Sequence, residues 1–567
     1  MRARGRPHGR RGRARRASGA GGRRAPARAR WRRFGRRGWG VISRRGEGRV
    51  GRLGAGWLAE PPGLPPPGVE RVRALAALAA RLQGGATGAT IDVVIGGRSV
   101  WVEGAAEAAI VAALESGAPA GPSAPPRHHE LEVVYDGPDL QALAELAGAP
   151  AEEIARLHAE PTYVAWVAGF LPGFAYLAEV DPRIARPRLA TPRRRVPAGS
   201  VGVAGRLTGV YPTASPGGWN LVGRALDPGL FAADRAPPRR IAVLDTVRFV
   251  PRPMPPPGQG APGGGDRPRH GEGAAHEAAA LAVVRAGPLV TVQDRGRPGR
   301  RGDGVPLGGA LVPAGLARAN AAVDNDPRAA ALELFDSELE LALLRDAVAS
   351  VEGEPPRRLR AGERLHVGRA RGAVRYVAFA GGVSVPVVLG ARSTSPAVGI
   401  GGVEGRPLRA GDRLALGHSA AALGGGPPAA PRASRVVGDY GDPAAPGEPE
   451  DPSSPLRLAL ELGPADARLP PRALAALLEH EFALTSARDR TGFRLAGPAV
   501  PREGSDLALP DPVVPGAVQL PGDGQPIVLG PDSAVTGGYP VAGVLTAPAL
   551  AALALARPGR RLRFMAR

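Results

Sequence analysis

Two residue types are absent from this chain, and each absence removes a class of chemistry. The 567 residues include no cysteine, which excludes thiol nucleophiles, disulfide bonds and cysteine-ligated zinc. They also include no lysine, so all 74 basic residues are arginine. A Walker A loop and a protein kinase both need a lysine at the nucleotide phosphates, so neither kind of nucleotide site is available. A covalently bound biotin, which requires a lysine, is excluded as well.

Aromatic residues are scarce and long apolar runs are missing. Phe, Trp and Tyr make up 4% of the sequence, so valine, leucine and alanine must fill the hydrophobic cores. There is no uninterrupted run of about 18 apolar residues, and we therefore expect no membrane-spanning helix. The length is typical of about three or four domains.

The net charge of +22 is concentrated at one end of the chain. Residues 1–50 contain 19 arginines and one acidic residue, which leaves 55 basic and 51 acidic groups in the rest. A nearly neutral body lacks the footprint of a nucleic-acid-binding surface, so we expect no specific nucleic-acid partner. The basic head could be an RNA-binding or targeting arm, or a disordered or wrongly assigned start. Since it lacks the apolar segment of a secretory signal, a cytoplasmic location is expected.

Composition and periodicity divide the chain into segments. Residues 1–65 are predicted to be a disordered Arg-rich head. Alternating helix and strand patterns predict a small α/β domain at 66–165, and short strands with Gly/Pro turns predict a β-rich block at 166–250. A Pro/Gly linker follows at 251–280. A second module occupies 281–567, with a low-complexity loop insertion at 424–455.

Two Gly/Pro-rich stretches, more than 300 residues apart, resemble each other. In the first, VPAGS and TGVYP display polar side chains between short strands, as a binding loop on a β-scaffold does. In the second, VPGAV and TGGYP repeat the pattern, so that Thr536 and Tyr539 correspond to Thr208 and Tyr211. The echo predicts two related β-modules in one polypeptide.

Several clusters of polar residues are candidate sites, each with a structural alternative. Arg193 and its two neighbours in TPRRRVP could clamp a carboxylate or phosphate, or form a solvated loop. TVQDRGRPG places Gln293, Asp294 and Arg297 together, either for a polar ligand or as an Asx turn with a salt bridge. In LGARST, residues 392–394 could form an oxyanion cradle or a capped turn. The SPGGW turn at 215–219 could bind a ligand or be anchored by a buried Trp. The nine histidines do not cluster, so no metal site is predicted.

Long motifs in order resemble a known family. GFLPGFAYL, TPRRRVPAGSVGVAG and TGVYPTASPGGW resemble allophanate hydrolase subunit 1, also called the B-type subunit of 5-oxoprolinase. GPLVTVQDRGRPG, GGVSVPVVLGARST, DRTGFRLAGP and VPGAVQLPGDGQPIVLGPDSAVTGGYP resemble subunit 2, or the C-type subunit of 5-oxoprolinase. Both sets are similar to the carboxyltransferase domain of urea carboxylase. The resemblance covers about 66–250 and 281–567. It implies a mainly β fold with an α/β part: two cyclophilin-like β-barrel modules, the first preceded by the small α/β domain.

The chain departs from the family pattern at a few places. The usual opening strand of the type GDRALLVEL is not recognisable, and we expect it to be missing or mistranslated, which would leave a sheet edge unpaired. Leu207 stands where the family has glutamine, and Val541 where it often has lysine. A Ser-Gly-Ala-x-Asp stretch has lost its serine at Gly308 and its aspartate at Val312.

The resemblance implies a fused B–C component of an ATP-dependent 5-oxoprolinase, which opens 5-oxoproline to glutamate with a separate A-type subunit. ATP, with Mg²⁺, is the implied cofactor, and covalent biotin is not expected. The residues predicted to be catalytic are Asp294, Glu333 and Arg392. Those predicted to bind substrate or phosphate are Arg193, Arg195, Ser200, Thr208, Tyr211, Ser215, Gln293, Arg297, Ser393, Thr394, Arg490, Gln519, Gln525, Thr536 and Tyr539.

Two other functions stay open at this point. One is carboxyl transfer from carboxybiotin, held by a separate carrier, to a urea-like acceptor. The other is a non-enzymatic regulator, because relatives of the first module are described as inhibitors of a histidine kinase.

Overall fold

The computed structural model describes residues 40–41, 49–61, 63–84, 91–116, 125–189, 191–227, 229–253, 279–369, 372–418, 454–463, 469–502 and 509–567. Most of the Arg-rich head, the linker and the loop insertion therefore lie outside the described residues. Within the described part, no helix is long and apolar enough to cross a membrane.

The elements alternate between short strands and a few helices. The helices are α1 (Val69–Gly84), α2 (Glu107–Glu115), α3 (Leu140–Ala147), α4 (Ala151–Ala159), α5 (Pro313–Ala321), α6 (Pro471–Glu479) and α7 (Ala547–Leu555). The strands of the first module are β1 (Gly40–Val41), β2 (Arg49–Leu53), β3 (Gly56–Glu60), β4 (Asp92–Ile95), β5 (Val100–Glu103), β6 (His128–Val134), β7 (Thr162–Ala168), β8 (Ala175–Ala178), β9 (Arg193–Val196), β10 (Ser200–Ala204), β11 (Leu207–Val210), β12 (Ser215–Gly217), β13 (Asn220–Ala225) and β14 (Thr246–Pro251).

The second module continues the strand series. Its first part contains β15 (Ala279–Ala286), β16 (Val290–Gln293), β17 (Ala331–Phe335), β18 (Leu339–Leu343), β19 (Ala347–Val351), β20 (Arg357–Leu359), β21 (Arg364–Val367), β22 (Val374–Phe379), β23 (Val383–Ser384) and β24 (Arg413–Leu416). Its second part contains β25 (Leu456–Glu461), β26 (Phe482–Arg488), β27 (Gly492–Ala496), β28 (Asp511–Pro512), β29 (Ala517–Gln519), β30 (Ile527–Leu529), β31 (Thr536–Gly537), β32 (Val541–Leu545) and β33 (Arg561–Ala566).

The first five strands form a sheet in the order β1-β2-β3-β5-β4. Helices α1 and α2 cover one face, where Val100 and Val102 are buried. Trp101, between them, points to the other face and packs against Val514 of the second module. Because successive side chains of a strand face opposite sides, one short strand serves both cores.

The prediction that residues 1–65 are a disordered head without a first strand is wrong for its last part. Strands β2 and β3 form a hairpin, and β3 pairs with β5 through Trp57 and Val102, so that edge is not left open. In β2, Val50 and Leu53 are buried while Arg49 and Arg52 are exposed. The two exposed positions of this strand are both arginines, so its sequence resembles that of the Arg-rich head.

The first barrel begins earlier than predicted. β10-β11-β8-β7-β14-β6-β13 close into a seven-stranded barrel, with α3 and α4 between β6 and β7. The predicted boundary at residue 165 is therefore wrong, because β6 and β7 belong to the barrel and the α/β domain ends near residue 116. The partners of β6 are β13 and β14, about 90 to 120 residues later, and local sequence carries no information about such pairing.

The second module combines two sheets with a second barrel. The sheets run β21-β18-β15-β24-β23 and β16-β17-β22-β19-β20 and share one core. The barrel is β25-β32-β29-β30-β27-β26-β33. If the seven strands of each barrel are lettered a to g in chain order, both rings run a-f-d-e-c-b-g, and a and g are parallel in both. The two modules are thus related, as the sequence echo predicts.

The topology corrects which segments correspond. TGGYP begins at β31, which pairs with β28, and the equivalent pair in the first module is β12 with β9. The counterpart of TGGYP is therefore SPGGW at 215–219, not TGVYP, which lies on β11. The VPAG and VPG segments do correspond, since each precedes the fourth strand of its barrel.

Asp245 lies just before β14, at the place where β14 pairs in parallel with β6 and completes the first barrel. Its carboxylate accepts hydrogen bonds from the backbone N–H groups of Arg127 and Ala242, both at 2.9 Å. It also contacts Arg127 Nη2 at 3.2 Å and His129 Nε2 at 2.9 Å. Burial opposes ionisation, but the backbone donors, His129 and the charge of Arg127 outweigh it and lower the pKa of Asp245.

We expect Asp245→Asn to destabilise the protein at neutral pH and to matter less in acid. The pKa of the folded state lies below the value of about 3.9 for an unfolded aspartate, so the carboxylate stabilises the fold above that pH. This contribution is lost as the pH falls through the folded pKa. Urea unfolding of both proteins at about pH 7 and about pH 3 measures the difference. A difference that stays constant between the two pH values would contradict the assignment.

Candidate functional site

A buried group of charges joins the second barrel to the double-sheet part of its module. Arg490, in the turn between β26 and β27, donates from Nε to Asp532 at 2.8 Å and from Nη2 to the carbonyl of Gly309 at 2.6 Å. Its Nη1 contacts Glu333 on β17. Burial alone would lower the pKa of Arg490, but the two carboxylates outweigh burial and raise it. The arginine is therefore a fixed cation; we call Glu333, Arg490 and Asp532 the Arg490 cluster.

The carboxylate of Glu333 is fully occupied by protein donors. Its second oxygen accepts hydrogen bonds from the N–H of Leu311 at 2.8 Å and from the hydroxyl of Tyr376 at 2.7 Å. Burial and the adjacent negative charge raise the pKa of Tyr376 well above its usual value. With 0% exposure and each oxygen bonded, Glu333 is placed to hold the 309–312 loop. This arrangement does not favour the proton-transfer role predicted for it.

Asp294 organises the loop that follows β16. One carboxylate oxygen accepts the N–H of Gly296 at 2.8 Å, and the other accepts the N–H of Arg392 at 2.6 Å. The Asx turn suggested as the structural alternative is therefore present. The same carboxylate fixes the 388–395 segment beside the loop, so the two motifs TVQDRGRPG and LGARST meet.

Arg297 fastens these two motifs from the inside. It is 1% exposed and donates to the carbonyl of Val388 at 3.0 Å, and to the hydroxyl of Ser393 at 3.0 Å. Burial lowers the pKa of Arg297, partly offset by the charges of Asp294 and Asp532. Gly401 makes this packing possible: a Cβ there would lie 2.3 Å from Arg297 Nη2, and its φ of +71° favours glycine.

Three buried polar atoms on these motifs have no hydrogen-bond partner in the part of the chain that the structure describes. They are Gln293 Oε1, Thr394 Oγ1 and Arg392 Nε. Gln293 is held in place because its Nε2 donates to Thr291 Oγ1 and to the carbonyl of Thr394, both at 2.9 Å. Since buried polar groups are nearly always paired in native proteins, these atoms mark a place where a ligand or water completes the bonding.

The positions of the lost family serine and aspartate lie next to this site. Gly308 has φ +64°, and a Cβ there would be 3.2 Å from Arg297 Nη1 and 3.3 Å from Ser393 Oγ. Val312 is the N-cap residue of α5 and provides no side-chain cap. An aspartate at position 312 would accept a hydrogen bond from a backbone N–H of the first turn of α5. With valine there, that capping hydrogen bond is absent.

In the first module, Thr208 and Tyr211 face opposite sides of the barrel wall. Thr208 Oγ1 lies 2.7 Å from Nε2 of His158 inside the barrel, and burial lowers the pKa of His158 to about 3. Tyr211 instead belongs to an aromatic cluster on the outside, with Phe174 and Trp219. These two predicted binding residues therefore do not share a pocket, because they lie three positions apart on an extended strand and so face opposite sides.

The arginines of TPRRRVP do not converge on a cavity. Arg193 donates to Asp139 at 2.6 Å and to the carbonyl of Trp219 at 3.2 Å, so it bridges segments of its own barrel. Arg195 is exposed. Ser200 and Ser215 are buried on strands. The solvated or structural alternative describes this segment better than the anion clamp.

The two modules meet where the outer aromatic cluster of the first faces the Gly-rich turns of the second. Tyr211 and Trp219 share one apolar cluster with Ile400. The N–H of Val535 donates to the carbonyl of Gly169 at 3.1 Å. This junction lies beside the 388–395 segment, so the unpaired polar atoms and the inter-module contact are neighbours along the chain.

Of the remaining residues predicted to bind substrate or phosphate, some lie at the junction between the modules, and one lies away from it, beside Gly497. Thr536 is buried at the junction, and Gln519 is beside it, since a Cβ on Gly537 would lie 2.5 Å from Gln519 Nε2. Tyr539 is half-buried. Gln525 is elsewhere, bonded through both amide atoms to the backbone of Gly497.

Sequence reasoning missed Asp532 and Tyr376. Asp532 is a single aspartate in a Gly/Pro turn, and Tyr376 alternates with apolar residues on β22, so neither has a spacing signal. Only the contact of each with a residue more than 40 positions away gives it a role.

Comparison with known proteins agrees with this architecture. The family model "Carboxyltransferase domain, subdomain C and D" matches residues 65–241, and "Carboxyltransferase domain, subdomain A and B" matches residues 303–566. The C-type subunit of 5-oxoprolinase from Escherichia coli (strain K12) is 34% identical over 275 residues, which are 46% of this chain and 82% of that protein. The B-type subunit of 5-oxoprolinase from Escherichia coli O157:H7 is 45% identical over 129 residues, 22% of this chain and 59% of that protein. The crystal structure of TTHA0988 superposes with a TM-score of 0.73 at 32% identity, over 90% of this chain and 99% of that one.

The chain therefore belongs to the carboxyltransferase-domain family with cyclophilin-like barrels. It carries the C–D half before the A–B half, and each half has relatives named as one separate subunit of 5-oxoprolinase, the B-type or the C-type. This agrees with a fused B–C protein, the identification made from the motifs. The chain spans 59% of the length of the B-type relative that it matches.

Proposed function

We propose that this chain is the fused B–C component of an ATP-dependent 5-oxoprolinase, which opens 5-oxoproline to glutamate together with a separate A-type subunit in the cytoplasm. The observation that carries the proposal is the set of unpaired buried atoms on Gln293, Arg392 and Thr394. Leaving such atoms unpaired costs about 1–3 kcal/mol each, a cost that a bound ligand would remove.

The chemistry of these atoms complements a lactam acid. The Nε–H of Arg392 can donate to a carboxylate or to a phosphorylated oxygen. Gln293 Oε1 can accept the lactam N–H, and the hydroxyl of Thr394 can donate or accept. A five-membered lactam thus finds one charged donor, one acceptor and one adaptable group on neighbouring residues.

ATP makes the reaction feasible because a lactam oxygen is a poor acceptor of negative charge. Transfer of the γ-phosphoryl group to that oxygen releases ADP and creates a leaving group. Water then adds to the carbon, and the C–N bond breaks with protonation of the amine, which leaves an acyl phosphate. A second water hydrolyses this acyl phosphate to the carboxylate of glutamate and inorganic phosphate. In this proposal Arg392 stabilises charge on the reacting oxygen. Asp294 positions Arg392 through the backbone N–H, and the Arg490 cluster supports the loop behind it.

The family description favours one other candidate. A carboxyltransferase domain would move a carboxyl group from carboxybiotin to a urea-like acceptor. Because this chain contains no lysine, the biotin would have to be carried by another protein.

A reconstituted assay separates the two candidates. The purified chain, its A-type partner, MgATP and 5-oxoproline should together form glutamate and ADP in equal amounts, with neither protein sufficient alone. If the A-type partner forms glutamate equally fast without this chain, the proposal is wrong. Turnover of urea with a carboxybiotin carrier, and none of 5-oxoproline, would support the carboxyltransferase instead.

A further inference from the structure

An arginine-rich cavity opens at one end of the first barrel and shares no residue with the site described above. Its volume is about 410 Å³. Its polar lining consists of Arg127, His129, Asp227, Arg235, Arg239 and Arg240. Four guanidinium groups therefore surround a space with a single carboxylate in its lining.

Two of these arginines are fixed by carboxylates behind the cavity. Arg127 is paired with Asp245 at 3.2 Å. Arg239 reaches across to the second module, where it bonds to Asp303 and to the carbonyl of Gly302 at 2.6 Å. These pairs hold the two side chains in place while leaving other N–H groups of each guanidinium unused.

The other two arginines have no carboxylate partner within the described residues. Arg235 donates only to the carbonyls of Gly229 and Pro238, at 3.0–3.3 Å. Arg240 makes one long contact, 3.5 Å, with the carbonyl of Glu130, and its Nε and Nη1 have no hydrogen-bond partner in the described chain. The positive charges of Arg235 and Arg240 are thus not paired with a carboxylate. The cavity lining contains one aspartate, Asp227, which forms no ion pair with either of them in the described chain.

The loop that presents these groups is held by its own backbone. The N–H of Arg240 donates to the carbonyl of Leu230 at 2.8 Å, and the N–H of Ala232 donates to the carbonyl of Pro238 at 2.9 Å. A ligand therefore meets arginines on a loop with fixed ends, which reduces the entropy lost on binding.

We propose that this cavity binds a phosphoryl group of a small ligand, such as diphosphate. A phosphoryl group carries a charge of about −1.5 to −2 near neutral pH, which matches the two uncompensated guanidinium groups. The planar fork of arginine also fits phosphate oxygens in pairs, and in a chain without lysine it is the one side chain that can do so at this pH. This inference does not rest on the proposed function.

Isothermal titration of the full chain with diphosphate, inorganic phosphate, ATP and adenosine tests the proposal. Diphosphate and ATP should bind and adenosine should not, and the affinity should fall when the salt concentration rises from about 20 to about 200 mM. The double variant R235Q/R240Q should bind diphosphate at least about tenfold more weakly, since it loses the two guanidinium groups that have no carboxylate partner in the described chain. Arg413→Gln is the matched control, because Arg413 is exposed on β24 of the second module, outside the cavity.

The proposal fails if the wild-type chain takes up no diphosphate at millimolar concentration, or if R235Q/R240Q binds it as tightly as wild type. It also fails if adenosine displaces diphosphate, which would show that the cavity recognises the base and not the phosphoryl group. Thermal unfolding checks that the double variant is folded. If it is not, the single variant Arg240→Gln tests the proposal instead, because the Arg240 guanidinium makes only one long contact in the described chain and its loss should not disturb the fold. No A-type partner is needed, so the outcome is separate from that of the glutamate assay.

Discussion

Replacing Arg490 with methionine is expected to lower the free energy of unfolding by about 3–5 kcal/mol. The substitution leaves the carboxylates of Glu333 and Asp532 buried, at 0% and 2% exposure, without their cation. Because a lone buried charge is far more costly than a lost neutral contact, the effect exceeds that of an ordinary core substitution. Urea unfolding near neutral pH, followed by intrinsic fluorescence or circular dichroism, measures the loss.

A second measurement separates charge from packing. Burial already raises the pKa of Asp532 in the intact protein. Without the cation, the folded Arg490→Met variant should bind extra protons, so its stability should rise as the pH falls from about 8 to about 5. Adding Glu333→Gln and Asp532→Asn should restore part of the loss at neutral pH. Arg494→Met is the control; Arg494 is exposed on β27, and its loss should cost less than about 0.5 kcal/mol. A loss for Arg490→Met that does not depend on pH would show that the cluster acts through packing alone.

Replacing Arg392 with alanine is expected to reduce kcat/KM for ATP-dependent glutamate formation at least about 100-fold. The reason is that its Nε–H is a charged donor without a hydrogen-bond partner in the described chain, two residues before Thr394. The variant keeps the backbone N–H of residue 392, which donates to Asp294 at 2.6 Å, so the turn should be preserved. The reconstituted assay with the A-type partner provides the measurement, and the thermal unfolding midpoint should change little.

The neighbouring arginine provides the matched control. Arg295 is exposed in the same loop, one residue after Asp294, and Arg295→Ala should leave turnover unchanged. Arg392→Lys keeps the charge without the planar fork and should fall between wild type and alanine. Unchanged turnover in Arg392→Ala would remove this residue from the site, and an equal loss in Arg295→Ala would point to a general effect of charge.

Local sequence was sufficient where structure depends on neighbours along the chain. In the small α/β domain predicted to begin at residue 66, the helix from Val69 and the strand pair joined at Gly96-Gly97 depend on apolar periodicity and glycine turns, which act within a few residues. The order of the motifs was also sufficient to identify the family and to predict two related barrel modules. It also grouped Asp294 with Arg297, and Arg392 with Ser393, since the residues of each pair lie in one short motif.

Long-range pairing decided what the sequence could not. Strand β3 of the hairpin that ends the head pairs with β5, the first barrel begins at β6, and SPGGW rather than TGVYP is the counterpart of TGGYP. Each of these facts depends on pairing between strands that are not neighbours along the chain. Thr208 was separated from Tyr211 by the two faces of one barrel wall.

By itself, then, the sequence determined the absence of thiol and amine chemistry, the family, and the loops that carry the polar residues. The tertiary structure alone decided which of those residues are satisfied by each other and which are not. Glu333 and Arg490 neutralise one another inside the protein, whereas Arg392, Arg235 and Arg240 keep donors without a partner in the described chain. The physical reason is that an arginine's availability depends on whether folding places a carboxylate within reach, and that distance is set by elements far apart in the chain.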